Sequence, residues 1–358
     1  MQASDYYVIG IMSGTSVDGI DFAYAKFYKD SSWHFELLIT ETVAYSQQWQ
    51  QDLRDAINYN EADLKVFDDQ YTKLLADVTH DFIVRNKIEE LDAICSHGHT
   101  ILHQPQNGRT YQIGNQRLLA QQTGYRVICD FRVQDVKNGG QGAPLVPIGD
   151  RFLFSEYDFC LNIGGFANIS FDDNDERIAF DICPTNIVLN HYAQKMGLDY
   201  DKDGAIAAAH EPDAVLLQKL NALPFYTAPF PKSLGLEWVK ENIFPLIESS
   251  GFSPEIVIAT FTEHMAQQIA AIFSLKAKSK KELKIIATGG GAFNKHLVRR
   301  IEILSQQKIT IPQKQIVEFK EALIFGFMGV LRLRNTNNVL QSVTGATEDH
   351  CSGKIFLT

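Results

Sequence analysis

The chain has 358 residues, which exceeds the length at which a single hydrophobic core usually divides, so we expect two lobes. Apolar residues make up 45% and charged residues 21% of the chain, a globular balance that excludes wholesale disorder. The formal net charge of −10 argues against a broad nucleic-acid-binding surface, because phosphate binding needs clustered Lys and Arg.

The predicted compartment is the cytoplasm. The five cysteines are odd in number and show no metal-ligand spacing, which predicts free thiols in a reducing environment. The first residues lack a basic start and an apolar signal core, and we expect no apolar stretch long enough to span a bilayer.

Strands and helices alternate along the first half of the chain. Apolar periodicity predicts strands at 6–12, 21–28 and 35–42, helices at 47–58 and 61–85, and short buried strands at 93–96 and 126–129. The stretch 137–150 is rich in Gly and Pro, so we expect it to carry the crossing between lobes.

The second half repeats this order. It predicts a strand pair at 159–171, a strand at 177–182 and a helix at 186–196, then an amphipathic helix at 254–274, a strand at 283–287, a Gly-rich turn and another helix. A strand meander followed by helices, twice over, predicts an α/β chain with the two-lobed actin-like (ribonuclease H-like) sugar-kinase ATPase fold and a nucleotide cleft between lobes. We place the N-terminal lobe at 1–136, with the tail 340–358 as a candidate addition, and the C-terminal lobe at 137–340.

Two glycine-punctuated hairpins, one opening each half, are candidate phosphate-binding turns. Glycine lets the backbone approach a ligand closely, and small hydroxyl residues offer donors. The candidate residues are Gly14, Thr15, Ser16, Val17, Asp18, Gly19, Ile20 and Asp21 in the first hairpin, and Gly164 and Gly165 in the second.

A third glycine cluster, Gly289, Gly290 and Gly291 with Asn294, follows a predicted strand and precedes a helix. Backbone N–H groups and a helix amino end then point to one spot, where a flat ligand such as adenosine could lie. Taken alone, the cluster could be only a tight strand-to-helix turn. Its position after two phosphate-type hairpins favours the nucleotide interpretation.

Three carboxylates are candidates for chemistry. Asp181 ends a predicted strand, and in sheets of this kind ligands collect beyond the carboxyl ends of strands, so we interpret it as the base. Asp181 could instead cap the next helix, but Thr185 and Asn186 lie closer to the start of that helix and are better placed to cap it. Asp18 could hold Mg²⁺ through water. For Asp21, a turn-stabilising role is at least as well supported.

The histidine-rich segment 96–105 and the charged segment 130–135 are candidates for sugar binding. The His-x-His spacing is a weak metal signal without a Cys or acidic partner nearby, so we predict a polar sugar-binding loop that includes His103. Arg132 could grip a carboxylate or phosphate with its fork of donors. A structural ion pair between Arg132 and Asp135 is the competing interpretation.

These and other segments together resemble the anhydro-N-acetylmuramic acid kinase family over nearly the full chain. The matching stretches, in family order, are 10–21, 97–105, 111–114, 130–147, 162–170, 200–205, 231–233, 289–294, 321–325 and 342–346. The resemblance implies an ATP- and Mg²⁺-dependent enzyme of cell-wall recycling, usually a homodimer, which opens the 1,6-anhydro bond of its sugar with water and phosphorylates O6. It implies that Asp181 is the general base and that Glu321 supports the sugar. For the lactyl carboxylate, Arg132 is the first candidate cation and Lys232 the second, each with a structural alternative.

One departure concerns the base motif. The family usually has Asp-Thr-Gly-Pro-Gly-Asn, whereas this chain has Asp181, Ile182, Cys183, Pro184, Thr185 and Asn186. We expect the side chains of Cys183 and Thr185 to narrow or reshape the wall beside the sugar, which leaves another anhydrosugar, such as levoglucosan, open as substrate. The alternative of a different class is an actin-like ATP switch that modifies no sugar.

Overall fold

The computed structural model describes residues 5–14, 16–277 and 282–358. The strands of these residues are β1 (Tyr6–Ser13), β2 (Gly19–Lys29), β3 (Trp33–Ala44), β4 (Ala93–Gln104), β5 (Arg109–Ile113), β6 (Val127–Cys129), β7 (Phe159–Ile163), β8 (Phe166–Asp173), β9 (Glu176–Pro184), β10 (Ile285–Thr288), β11 (Ile309–Thr310) and β12 (Lys354–Phe356).

The helices are α1 (Gln47–Asp55), α2 (Glu61–Arg85), α3 (Arg117–Thr123), α4 (Val133–Lys137), α5 (Pro147–Leu153), α6 (Asn186–Gln194), α7 (Ala205–Ala209), α8 (Ala214–Asn221), α9 (Pro224–Thr227), α10 (Leu236–Trp238), α11 (Phe244–Glu248), α12 (Pro254–Ala277), α13 (Lys295–Ser305), α14 (Lys314–Leu333) and α15 (Gln341–Thr344). Short 3₁₀ turns lie at Ala56–Asn58, Pro105–Asn107, Lys202–Gly204 and Gly290–Phe293, and a π turn at Val239–Ile243.

The chain divides into two compact units. Unit 1 contains the residues up to Leu153 together with Phe319–Thr358, and unit 2 contains Phe154–Glu318. The sequence had placed these boundaries at 136 and 340. The difference arises because 137–153 packs within unit 1: the Gln141 N–H donates to Thr344 O (2.8 Å), and Gly149 lies against Ile324 so closely that a Cβ would not fit. The stretch 137–150, predicted to carry the crossing, therefore belongs to unit 1.

Unit 1 is built on a mixed sheet with the strand order β12-β6-β4-β1-β2-β3, and β5 pairs with β4. β1, β2 and β3 are antiparallel, whereas β4 runs parallel to β1 and β6 parallel to β4. Phe22 of β2 stacks on Phe82 of α2, with ring centroids 4.9 Å apart. Gly10 of β1 has no space for a Cβ because the Ala322 backbone of α14 lies against it. Helices thus pack closely on the sheet.

Unit 2 repeats this topology. Its sheet has the order β11-β10-β7-β8-β9, in which β7, β8 and β9 are antiparallel and β10 and β11 continue in parallel from β7. Phe261, Met265 and Phe273 of α12 are fully buried in the core against this sheet. Three antiparallel strands followed by two parallel strands, found in both units, is the ribonuclease H-like plan. The predicted α/β fold class is therefore confirmed.

Two predictions from the sequence are wrong. The segment 96–105, predicted as a polar loop, is mostly strand, since β4 continues to Gln104 and pairs with β5. Among the described residues, one stretch does have the length and composition to cross a membrane, Pro254–Ser274 of α12, with mean hydropathy 1.2. Because 72% of the most apolar 18-residue window in this stretch is buried inside the protein, the stretch has the character of a core helix.

Candidate active site

The first glycine turn covers residues 14–18, of which Thr15 lies outside the described residues. The Val17 N–H donates to Gly14 O (3.2 Å), and the Val17 side chain is buried in the core. Val17 has φ of 61°, a region that is strained for a β-branched residue. Ser16 and Asp18 are exposed. A strained, tight turn that presents a hydroxyl and a carboxylate is suited to a phosphate and its counterion.

The remaining predicted residues of this hairpin belong to β2. Gly19 and Ile20 are both buried, and the Ile20 side chain faces the core rather than a ligand. The Thr42 hydroxyl donates to Asp21 Oδ1 (2.6 Å), which is the kind of contact expected from the hairpin-stabilising interpretation of Asp21.

Asp18 is the candidate magnesium ligand, and its exposed carboxylate is the kind of oxygen donor that this ion takes. No three His, Cys, Asp or Glu side chains of the described residues cluster as a closed metal site. Mg²⁺ in phosphoryl-transfer enzymes is usually held by one or two carboxylates, phosphates and water, so an exposed carboxylate in a phosphate-type turn is a suitable donor set.

A buried hydrogen-bond network lies under the start of the turn. Ser13 Oγ lies 2.8 Å from both His99 Nδ1 and Tyr45 Oη, and Tyr45 Oη lies 2.7 Å from Tyr71 Oη. Burial lowers the pKa of His99 to about 4, so its ring is neutral at physiological pH. The network fixes the end of β1, from which the turn begins.

Arg132 is held in place by two of its five donors. Its Nε–H donates to His97 Nε2 (2.7 Å), and its Nη1 donates to Gly142 O (2.5 Å). The His97 Nδ1–H donates to Gly98 O (2.9 Å), which leaves Nε2 as the acceptor, and burial keeps the pKa of His97 well below its ordinary value. Arg132 Nη2 has no hydrogen-bond partner within the described part of the chain, so it is available to a ligand.

The competing ion pair between Arg132 and Asp135 is not formed among the described side chains. Asp135, fully buried, instead accepts hydrogen bonds from the Gly142 N–H (2.6 Å) and the Thr344 hydroxyl (2.7 Å). Asp135 therefore anchors the glycine-rich loop, whose Gly142 carbonyl in turn holds Arg132.

Glu321 and His103 belong to the same region of unit 1. The Glu321 side chain is exposed to water, yet enough protein surrounds its carboxyl group that burial raises its pKa, while the positive charge of Arg132 opposes this shift. His103 is exposed, its Nδ1 lies 3.1 Å from Thr110 Oγ1, and burial together with the Arg132 charge lowers its pKa. The structure thus brings together three of the four predicted substrate residues.

The second glycine turn joins β7 and β8 in unit 2. The Gly164 carbonyl accepts from the Thr185 hydroxyl (2.7 Å), and the Gly165 carbonyl accepts from the Thr185 N–H (2.8 Å). A Cβ built on Gly165 would have only Ile187 as a neighbour, at 4.0 Å, so this face of the turn is open.

The third glycine cluster packs against the second through Ile163. Gly289 has φ of 81°, and a Cβ there would lie 2.7 Å from Ile163 O; a Cβ on Gly291 would collide with the Ile163 side chain. Gly290, by contrast, faces open space with nothing within 4 Å. Asn294 Oδ1 accepts from the Leu297 N–H (2.9 Å) and so caps α13. Gly289 and Gly291 are thus required by the fold, whereas Gly290 is not.

Asp181 lies near the end of β9 and is half-buried. The Leu234 N–H donates to Asp181 Oδ2 (2.8 Å), and the Asp181 N–H donates to Lys232 O (3.0 Å). Oδ1 has no hydrogen-bond partner in the described ranges. Burial raises the pKa of Asp181 above 3.8, and the Leu234 hydrogen bond limits the shift. An oriented carboxylate with one unoccupied oxygen and a raised pKa can accept a proton from water.

The other residues around Asp181 differ from their predicted roles. Lys232 Nζ donates to Phe225 O (2.8 Å) and lies 4.5 Å from the centre of the Phe225 ring, so its ammonium is engaged by its own loop. Cys183 and Thr185 have no exposed surface. The prediction that their side chains narrow a wall beside the sugar is therefore wrong, because both face the interior.

Sequence reasoning missed three contributors. His97 was noticed as part of a histidine segment but not as the acceptor that orients Arg132. The Ser13–His99 network could not be predicted from the sequence, because buried polar residues interrupt the apolar pattern by which buried positions are identified. Leu234 acts through its backbone N–H, which no side-chain pattern reveals.

Comparison with known proteins finds relatives over almost the whole chain. The family model for anhydro-N-acetylmuramic acid kinase matches residues 6–358. A protein of that name from Pseudomonas syringae pv. syringae is 34% identical over 370 residues, covering 98% of this chain and 99% of the relative. One from Haemophilus influenzae is 34% identical over 378 residues, covering 98% and 97%.

The solved structures that the chain resembles are more distant in sequence. An activator of 2-hydroxyisocaproyl-CoA dehydratase from Clostridium difficile with bound ADPNP has a TM-score of 0.43 at 14% identity, covering 92% of this chain and 97% of that one. A ROK family glucokinase from Streptomyces griseus in complex with glucose and AMPPNP has a TM-score of 0.40 at 11% identity, covering 90% and 98%. The full-length family match and the relatives at 34% identity show that the chain belongs to the anhydro-N-acetylmuramic acid kinase family, and so is a phosphotransferase.

Proposed function

We propose that the protein opens 1,6-anhydro-N-acetylmuramic acid with water and transfers the γ-phosphoryl group of ATP to O6, giving MurNAc 6-phosphate and ADP in the cytoplasmic recycling of peptidoglycan. The observation that carries this proposal is the carboxylate of Asp181, which is half-buried, oriented by the Leu234 N–H on one oxygen and unoccupied on the other. The family match supplies the substrate.

Asp181 acts as the general base. Its Oδ1 takes a proton from water as the water oxygen bonds to C1, and the C1–O6 bond breaks. Attack comes from the face opposite O6, as in an inverting glycosidase. O6 then bonds to the γ-phosphorus, and ADP leaves. The phosphoryl acceptor is thus created by ring opening, so a single carboxylate serves where a hydrolase uses two.

The glycine turns hold the nucleotide in this proposal. In unit 1, Gly14, Ser16 and Asp18 belong to a turn suited to phosphates, and in unit 2, Gly165 and Gly290 offer open backbone. Asp18 would hold Mg²⁺, which when bound neutralises phosphate charge. Phosphoryl transfer itself needs alignment and charge neutralisation more than covalent help.

Arg132 binds the lactyl carboxylate of the sugar in this proposal. Its Nη2 has no partner among the described residues, and its other donors fix the direction in which the guanidinium points. Glu321 and His103 line the same region and would contact sugar hydroxyls. We assign Lys232 to anchoring its own loop, because its ammonium is already bound to backbone carbonyls. With Cys183 and Thr185 buried, nothing in their side chains disfavours the muramic substituents.

The test is the Asp181→Asn variant, assayed for ADP and sugar phosphate with anhydro-MurNAc. We expect turnover to fall by about two to four orders of magnitude, since a general base typically contributes that much. ATP affinity and melting temperature should match those of the wild type. Near wild-type formation of MurNAc 6-phosphate would remove Asp181 from the mechanism. From the family resemblance we also propose a homodimer, which light scattering after size exclusion would test.

A further inference from the structure

Apart from ring contacts, such as the stacking of Phe230 on Phe180 with centroids 4.9 Å apart, the segment 225–234 that holds Asp181 has few anchors of its own. Residues 228–235 form neither helix nor strand, and 228–231 are exposed. Its two backbone contacts with Asp181 come from the Lys232 carbonyl and the Leu234 N–H. An irregular, exposed segment keeps a fixed position only if its side chains bind it to the core.

One tie begins at Lys232, whose Nζ donates to Phe225 O (2.8 Å) and Tyr226 O (3.4 Å), closing the segment on itself. The second tie leaves the segment: Tyr226 Oη lies 2.8 Å from His264 Nε2 in α12. His264 is fully buried, so this bond reaches the core of unit 2.

The neighbours of His264 fix its tautomer. Its Nδ1 lies 2.7 Å from Asn221 Oδ1, which also accepts from Gln268 Nε2 (2.9 Å), while Asn221 Nδ2 donates to Gln267 Oε1 (2.8 Å). Nδ1 therefore carries the proton, and Nε2 accepts from the Tyr226 hydroxyl. Burial lowers the pKa of His264 to about 3, so the ring remains a neutral acceptor at working pH.

We propose that Tyr226 and His264 are positioning residues for Asp181: their hydrogen bond fixes the segment 225–234 so that the Leu234 N–H stays on Oδ2 and leaves Oδ1 directed at water. The proposal rests on the assignment of Asp181 as the base. Neither residue touches the reacting atoms; both act through the segment. Geometric displacement of about 1 Å at a reacting group can cost roughly 100-fold in rate.

A merely stabilising role would change the melting temperature but not the pKa of Asp181. The Leu234 hydrogen bond lowers that pKa, so loosening the segment should raise it. The titratable neighbours that could confuse this measurement are Cys183 and Lys232. The pKa of Cys183 is raised by burial, so its thiol stays protonated over the pH range in which Asp181 titrates. Lys232 keeps its charge there, although burial lowers its pKa.

The experiment compares Tyr226→Phe with Tyr192→Phe. Tyr192 is a matched control, because its buried hydroxyl has no hydrogen-bond partner in the described part of unit 2. Each variant is labelled with ¹⁵N-leucine, and the Leu234 amide shift is followed against pH in the free protein. The acid limb of kcat/KM and the value of kcat are measured in parallel.

In Tyr226→Phe we expect the Leu234 titration and the acid limb to move up by about half a pH unit or more, and kcat to fall about tenfold or more. Tyr192→Phe should match the wild type in each readout. A Leu234 titration unchanged in a folded Tyr226→Phe protein would overturn the proposal. The Asp181→Asn variant separates the two claims: if it stays active, the proposed base is wrong, yet the Leu234 titration still decides whether Tyr226 positions the segment.

Discussion

The three consecutive glycines at 289–291 give the sharpest test of site geometry, because the space available for a side chain differs among the three positions. Alanine at Gly291 would collide with Ile163, and overpacking of this kind costs about 1–3 kcal/mol. Alanine at Gly289 would occupy φ of 81° with Ile163 O at 2.7 Å, a strain of about 1–3 kcal/mol. Alanine at Gly290 meets nothing within 4 Å and has no fold-related cost.

Thermal unfolding without nucleotide tests this ranking. For a domain the size of unit 2, each kcal/mol shifts the melting temperature by about 2–4 °C. We expect losses of several degrees for Gly289→Ala and Gly291→Ala, and no loss or a slight gain for Gly290→Ala, because it restricts the unfolded chain. If Gly290→Ala were as unstable as Gly291→Ala, the conclusion that the space around Gly290 is open would be wrong.

Nucleotide binding supplies the second half of the test. If adenosine lies on Gly290, Gly290→Val should weaken ATP binding roughly tenfold or more, because the branched side chain takes the ligand's space. Calorimetric titration with an ATP analogue measures this directly. A folded Gly290→Val protein that binds ATP as tightly as wild type would place the adenosine site elsewhere.

Three further predictions concern the sugar and the base. Arg132→Lys should raise KM for anhydro-MurNAc by about tenfold or more, since it loses a charged hydrogen bond to the lactyl group, with little change for levoglucosan; equal effects on both sugars in steady-state assays would contradict lactyl recognition. Lys232→Met should lower kcat for both sugars alike, because it releases the loop that holds Asp181; a rise in KM confined to the muramic sugar would instead make Lys232 a substrate ligand. As the pH is lowered, the wild-type kcat/KM should begin to fall at a pH above 3.8, the ordinary pKa of aspartate, because Asp181 must be ionised to act and burial raises its pKa. A fall that begins only at or below pH 3.8 would argue against Asp181 as the base.

The parts of the fold that sequence predicted well are those with strong local signals. The helix predicted at 61–85 has these bounds, because Asn60 caps it through the N–H groups of Ala62 and Asp63, and its apolar residues keep a helical period. The hairpins around both glycine turns were also found. β4 was cut short at 96, since His97 and His99 read as loop residues although both are buried and hydrogen-bonded.

The sequence predicted which residues form the site better than it predicted their hydrogen-bond partners. Asp181 and Arg132 were identified, but their partners lie far away in sequence: Leu234 for the first and His97 for the second. The sequence also does not show the direction in which a side chain points, so Cys183 and Thr185 were assigned to a ligand wall although both are buried in the core. Contacts between distant segments depend on tertiary packing, which local patterns do not encode.

The most direct test of the central claim is proton NMR of the first sugar phosphate formed from anhydro-MurNAc and ATP. Water attacking C1 opposite O6 should give the α-anomer of MurNAc 6-phosphate first, in one-to-one ratio with ADP, before mutarotation. Asp181→Asn should form neither product at a comparable rate. Initial formation of the β-anomer, or ADP release without sugar phosphate, would contradict water attack directed by Asp181.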